Sequence, residues 1–153
     1  MAGTIGTSRV TQIGFVVKDI QKTKAAWAKF LGVAEPPVFD GGDYEVTQTR
    51  YLGAAAPRAN CLMAFFDVGE GLQLELIEPN GEPSAWQDYL DEHGEGFHHI
   101  AFGVRGMDQQ IANLEQGGMR LLQRGKYGNA SGEYAYVDAL GELKTLIELL
   151  ESF

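Results

Sequence analysis

Two stretches of this chain follow one plan, and that repetition limits the folds open to it. Residues 11–33 read TQIGFVVKDIQKTKAAWAKFLGV and residues 98–119 read HHIAFGVRGMDQQIANLEQGGM. Each starts with polar residues, passes through a short apolar run and turns at Asp or Gly. Each then continues with helical periodicity and ends at glycine. Gln12-Ile13-Gly14 thereby aligns with His99-Ile100-Ala101. A second pair of segments matches in the same order, LQLELIEP at 72–79 and KTLIELLES at 144–152, so that Glu75 aligns with Glu148. A repeat of this kind buries its apolar faces best by packing the two copies on each other.

Each copy reads as a strand, a helix and three strands, an α+β arrangement of two βαβββ modules. The first module covers 9–79, residues 80–96 form a connecting helix and turn, and the second module covers 97–151, all within one compact domain. In the first copy a strand is expected over 9–17 and a helix over 19–31. Asp19 serves as its N-cap, Gly32 as its stop, and Ile20, Ala25, Trp27, Ala28 and Leu31 as its inner face. Strands follow near 44–51, 60–68 and 71–78. The connecting helix spans 84–92, capped by Ser84, with Trp86, Tyr89 and Leu90 inward and His93 at its C-terminal end, where a cation suits the dipole. The second copy gives a strand over 97–104, a helix over 107–116 and strands near 119–124, 133–138 and 144–151. The glycine-rich GKYGNASG (125–132) is a loop expected near the mouth of any site.

Chemistry concentrates on four polar residues set into apolar strands. Glu75 alternates with Leu74 and Leu76, and Glu148 with Ile147 and Leu149, so each shares a face apart from its apolar neighbours. A buried carboxylate is costly, and two close together push one pKa strongly upward. A divalent cation relieves both problems. Gln12 and His99 start the first strand of each copy, and packing about a pseudo-two-fold axis would bring Gln12, Glu75, His99 and Glu148 to one point. One His, two carboxylates and an amide suit Zn, Ni, Co, Mn or Fe as a divalent ion and leave room for substrate. Such a site would polarise a carbonyl and acidify the neighbouring C–H, with Glu148 as the preferred base. Glu45, on the expected 44–51 strand, is a candidate second base. His98 is one residue out of phase with His99 and should face the other way. Glu78 and Glu151 are out of phase with the ligand candidates and should be solvated.

Bulk properties narrow the partners. A net charge of −9 and a pI near 4.7 argue against nucleic acid and anionic membranes. No window offers the ~18 uninterrupted apolar residues that a membrane span requires. The N-terminal MAGTIGTSRV has neither the basic start nor the apolar run of a secretory signal. The single cysteine, Cys61, excludes an intramolecular disulfide and fits a buried strand position in a reducing, cytoplasmic setting.

The segment ELIEPNGEPSAWQDYLDEHGEGFHHIAFGV (75–104), closed by LIELLE (146–151), resembles the vicinal-oxygen-chelate superfamily, the glyoxalase, bleomycin-resistance and dioxygenase group, over residues 9–151. The resemblance implies paired βαβββ modules forming a cupped half-open barrel around a metal, and a homodimer. Segment 75–104 is similar to methylmalonyl-CoA epimerases, whose usual ligands are His, Gln, His and Glu. Gln12 and Glu75 depart at the first two positions, and YVDALGELKT (136–145) lacks the usual His-Pro-Lys. The implied function is a metal-dependent isomerase, epimerase or lyase acting on a small carbonyl or acyl-CoA substrate through an enolate. The set Gln, Glu, His, Glu matches a form of glyoxalase I, but Val16, Pro79 and Glu95 stand where that enzyme holds glutathione, so glutathione is not expected. Extradiol dioxygenases need two His and one carboxylate around Fe²⁺, and Gln12 replaces one of those His residues. The competing reading is a metal-free module that sequesters cationic antibiotics, with Tyr44, Phe65, Tyr134 and Tyr136 lining its cup.

Overall fold

The computed structural model describes residues 3–153; Met1 and Ala2, the start of the stretch read for a leader, lie outside the described residues. In chain order the elements are β1 (Val10–Val16), α1 (Ile20–Leu31), β2 (Phe39–Asp40), α2 (Tyr44–Thr47), β3 (Arg50–Tyr51), β4 (Ala54–Ala55), β5 (Cys61–Gly69) and β6 (Leu72–Pro79). They continue with α3 (Ala85–His93), β7 (Gly96–Gly103), α4 (Met107–Gln116), β8 (Arg120–Lys126), β9 (Gly132–Ala139), α5 (Leu140–Leu143) and β10 (Thr145–Ser152). The strands form one curved, unclosed sheet in the order β2-β5-β6-β1-β7-β10-β9-β8-β3-β4. Among the described residues, no helix is long and apolar enough to cross a membrane.

The repeat is written into that order. β1 and β7 pair antiparallel at the centre of the sheet, and each runs parallel to the strand that closes its own copy, β6 and β10 respectively. Outward from the seam the order is β1, β6, β5, β2 on one side and β7, β10, β9, β8 on the other. The helices return over the same sheet. Ile20, Ala28, Leu74, Leu76 and Phe66 pack α1 on its half, and Met107, Ile111, Leu114, Val137 and Leu149 pack α4 on the other. Asp19 caps α1 through Lys22 N and Gly32 ends it in the left-handed region, as its sequence position implied. The inner face of α1 differs at one position: Lys24 is buried beside Glu35, and Ala25 is exposed.

The expected 44–51 strand does not form as such. Residues 44–47 make one helical turn, Gln48 ends it at φ 48, and its N–H and side-chain amide both bond to Tyr44 O. What remains is the two-residue β3, which crosses the opening to pair with β8 of the second copy. The alternation of Tyr44, Val46 and Gln48 imitated a strand; a left-handed residue and a local amide bond redirected it. Glu45 therefore sits on a short helix, exposed to solvent.

Two residues expected to be solvated instead hold the helices in place. Glu78 Oε1 accepts from Ile20 N at 3.0 Å, and Glu151 accepts from Gly106 N at 2.7 Å and Met107 N at 3.0 Å. Each lies three residues after a ligand candidate, so the two E-x-x-E segments supply one buried carboxylate and one helix-starting carboxylate apiece. These bonds hold the Glu151 carboxyl below its usual range. Replacing Glu78 by Ala leaves Ile20 N without its partner and should cost about 1 kcal/mol in urea unfolding; an unchanged midpoint would contradict the capping role.

Candidate metal centre

Gln12, Glu75, His99 and Glu148 occupy the four central strands, β1, β6, β7 and β10, and none is more than 5% exposed. His99 Nε2 lies 2.9 Å from Gln12 Oε1, 3.3 Å from Glu148 Oε2 and 3.6 Å from Glu75 Oε1. All four sequence candidates are thus brought to one point. Glu45 is not: it lies outside the cavity that opens onto this cluster.

Small residues make the convergence sterically feasible. Gly14 is paired with Glu75 on one side and His99 on the other. A Cβ there would overlap the His99 ring. The corresponding residue of the second copy, Ala101, is fully buried and pairs with Gln12 and Glu148. Each copy therefore leaves a gap beside its strand for the ligand residue of the other. A glycine inside an apolar strand is a signal of close approach, and Gly14 was the readable clue.

Electrostatics mark the cluster as incomplete without a cation. Burial first, and then the charge of Glu148, raises the Glu75 carboxyl well above the usual carboxylate range. Burial raises Glu148 to about 8, opposed by a bond from the Tyr136 hydroxyl. Burial also lowers the neighbouring histidines, His98 to about 4 and His99 well below its ordinary value. Glu75 Oε1 and Glu148 Oε2 are buried with no hydrogen-bond partner. Orphaned buried carboxylate oxygens are rare, and a divalent ion between these donors would satisfy both. Glu75, His99 and Glu148 offer ligand atoms all within 4.8 Å of one another, which fits the span of one coordination shell.

Above the cluster lies a cavity of about 790 Å³. Gln12, Glu75 and Glu148 belong to its floor; Met63, Phe65, Trp86, Tyr134 and Tyr136 supply apolar and aromatic wall. Of the aromatics expected in a cup, Phe65, Tyr134 and Tyr136 are there and Tyr44 is not. Tyr127, Gly128 and Asn129, from the glycine-rich loop, share the lining with Gly41 and Gly42. A Cβ at Gly42, φ 95, would collide with the Gly128 backbone, so the two halves touch across the opening at a pair of glycines.

His98 departs from the simple alternation. His99 pairs with Gly14 and Phe97 with Phe15, so His98 is left over as a bulge. That extra residue brings its ring round to His99, Nδ1 to Nδ1 at 2.8 Å, instead of sending it to the opposite face. Its Nε2 meets Ala85 O at 3.1 Å, at the start of α3.

Two outcomes follow. In metal-free protein the two histidines are neutral in both folded and unfolded states above about pH 6.5, while Glu148 stays protonated in the folded state up to about pH 8 and the unfolded carboxyl does not. The folded state then binds more protons, so stability falls as pH rises across that window. Calorimetry in chelator should show Tm decreasing there, and saturating Zn²⁺ should flatten the slope; a rising Tm without metal would contradict the geometry. Gly14→Ala should displace the His99 ring and weaken Zn²⁺ binding by about tenfold or more, read by titration calorimetry on folded protein; unaltered affinity would remove Gly14 from the site.

Comparison with known proteins agrees with the fold. Residues 11–137 match the family model described as Glyoxalase/Bleomycin resistance protein/Dioxygenase superfamily. The Bacillus subtilis (strain 168) protein called "Uncharacterized protein YqjC" is 33% identical over 145 residues, covering 94% of this chain and 92% of that one. Among solved structures, methylmalonyl-CoA epimerase from Mycobacterium tuberculosis matches with a TM-score of 0.68 at 21% identity, over 100% of this chain and 93% of that one. A Streptomyces coelicolor methylmalonyl-CoA epimerase variant in complex with 2-nitronate-propionyl-CoA matches with a TM-score of 0.64 at 27% identity, over 95% and 97%. With the family model spanning residues 11–137 and a relative 33% identical over 94% of the chain, the chain belongs to the glyoxalase/bleomycin resistance protein/dioxygenase superfamily.

Proposed function

We propose that this protein is a metal-dependent isomerase, epimerase or lyase that moves a proton beside the carbonyl of a small or acyl-CoA substrate. The observation that carries this reading is the pair of orphaned carboxylate oxygens, Glu75 Oε1 and Glu148 Oε2, facing His99 and Gln12 at the floor of a cavity. Gln12, Glu75, His99 and Glu148 would hold the ion. A divalent ion there supplies a Lewis acid that polarises the substrate carbonyl and acidifies the adjacent C–H.

The chain's own groups do the rest. Glu148 takes the proton, and the Tyr136 hydroxyl beside it favours the charged form of its carboxyl. A two-base epimerase needs a second group on the other face of the carbon; with Glu45 outside the cavity, Glu75 is the remaining carboxylate beside Glu148 at its floor and the candidate for that role. The aromatic wall excludes water around the reacting carbon. Glutathione is disfavoured: Val16 is wholly buried, and Glu95 Oε1 already accepts from Lys18 N at 2.7 Å. The kinship with acyl-CoA-binding epimerase structures supports, at 27% identity, an acyl thioester as the first substrate to try. By analogy with the family, the assembly is a homodimer.

Metal analysis of chelator-free protein, beside Glu148→Ala, tests the reading. One divalent ion per chain is expected in wild type and its loss in the variant. Solvent deuterium exchange into methylmalonyl-CoA and into α-hydroxycarbonyl compounds then separates the subclasses, with exchange in Glu148→Ala lower by about 10²–10⁴-fold. Failure to retain any ion after reconstitution with Ni²⁺, Co²⁺ or Zn²⁺ would favour the metal-free sequestering module instead.

A further inference from the structure

The adjacent buried histidines form a directed chain of hydrogen bonds, and the direction is fixed at its far end. His98 Nε2 lies 3.1 Å from the carbonyl oxygen of Ala85. A carbonyl only accepts, so Nε2 carries the hydrogen. The His98 ring is fully buried, edge-on to Tyr89 and Tyr136, and forms no ion pair with a carboxylate among the described residues. Such a ring is neutral and has one hydrogen, which leaves Nδ1 bare. That bare Nδ1 sits 2.8 Å from His99 Nδ1. One hydrogen must lie between the two atoms, and only His99 can supply it. Its bare Nε2, 2.9 Å from the Gln12 amide oxygen position, then meets the NH₂ group of that amide, an orientation that no other hydrogen bond of Gln12 opposes among the described residues.

We propose that His98 is a positioning residue: it accepts the Nδ1 hydrogen of His99 and so holds the His99 Nε2 lone pair toward Gln12, Glu75 and Glu148. This rests on the reading of His99 as a metal ligand. The opposite tautomer would aim a hydrogen at the place the ion needs. A ligating histidine usually secures its second nitrogen on a carboxylate, a carbonyl or water. Here a second histidine takes that role, and the β7 bulge lets two neighbours in one strand reach each other. The chain starts at the first turn of α3, which Ser84 caps through Gln87 N. The next residue of that turn acts on a second ligand. Trp86 Nε1 donates to Tyr136 Oη at 3.0 Å, and because an indole can only donate, the Tyr136 hydrogen is free for Glu148. One helix start thus sets the hydrogen direction at His99 and at Glu148.

The test reads the tautomer itself. Protein labelled with ¹⁵N-histidine and stripped of metal is studied by long-range ¹H–¹⁵N correlation, which distinguishes Nδ1–H from Nε2–H rings. Wild-type His99 should show Nδ1–H before any metal is added. His98→Phe offers no acceptor, so His99 should shift toward Nε2–H and Zn²⁺ affinity should fall by about 10–100-fold. His98→Asn places an amide oxygen where Nδ1 stood and should recover affinity to within about threefold of wild type, a rescue that mere filling of the space would not give. An Nε2–H ring in wild-type metal-free protein overturns the proposal, as does a folded His98→Phe that binds Zn²⁺ as tightly as wild type. If His98→Phe fails to fold, the wild-type spectrum decides. Wild-type protein that binds no metal at all would overturn the metal-centre reading, and the His99 tautomer would still be read from the same spectrum.

Discussion

Two carboxylates buried side by side at the centre of a sheet are a constraint to which the surrounding structure answers. Glu75 and Glu148 sit on the two strands that close the repeats, with one oxygen each left unbonded around His99. Neither can be ionised there cheaply without a compensating positive charge. Strands β1 and β7 bring the Gln12 amide and the His99 imidazole to the same point. Gly14 and Ala101 keep the intervening positions clear. A single inserted side chain at Gly14 would break the arrangement, because the ring it would strike is one of the donors.

Around that centre lies a layer of groups that orient the buried polar side chains and in part also wall the cavity. Helix α3 joins the two repeats in sequence, and its first turn joins them at the site. Ala85 O receives His98, Ala85 N donates to Gln123 Oε1 at 2.8 Å, and Trp86 donates to Tyr136. Gln123 in turn donates to the Tyr134 hydroxyl at 2.9 Å. The connection that links the modules therefore also orients side chains from β7, β8 and β9. Outside it, β3 and the Gly42–Gly128 contact tie the first copy to the second across the opening. The cavity wall is built from both copies, so its shape depends on how the copies dock.

How much of this could be read beforehand varied with the range of the interaction. The strands and helices that carry strong periodicity, α1, α4, β5, β6 and β10, lie within a residue or so of their expected places, because period and caps are local properties. Segment 44–51 had a strand-like pattern, but a left-handed Gln48 and a pairing with β8 of the other copy decided its conformation. Glu78 and Glu151 looked solvated by phase, yet their partners are backbone N–H groups of helices that begin 58 and 45 residues away in sequence. His98 followed strand alternation on paper and left it at a bulge, which register with β1 creates.

The sequence by itself determined the repeat, the α+β pattern and which four polar residues stand out on apolar strands, because each rests on residue type and spacing within one copy. Tertiary structure alone decided that Glu45 stands outside the cavity, that the E-x-x-E carboxylates start helices, and that His98 meets His99. Those outcomes depend on which strand lies beside which and in what register, a choice made by packing two copies against each other and not by any local propensity.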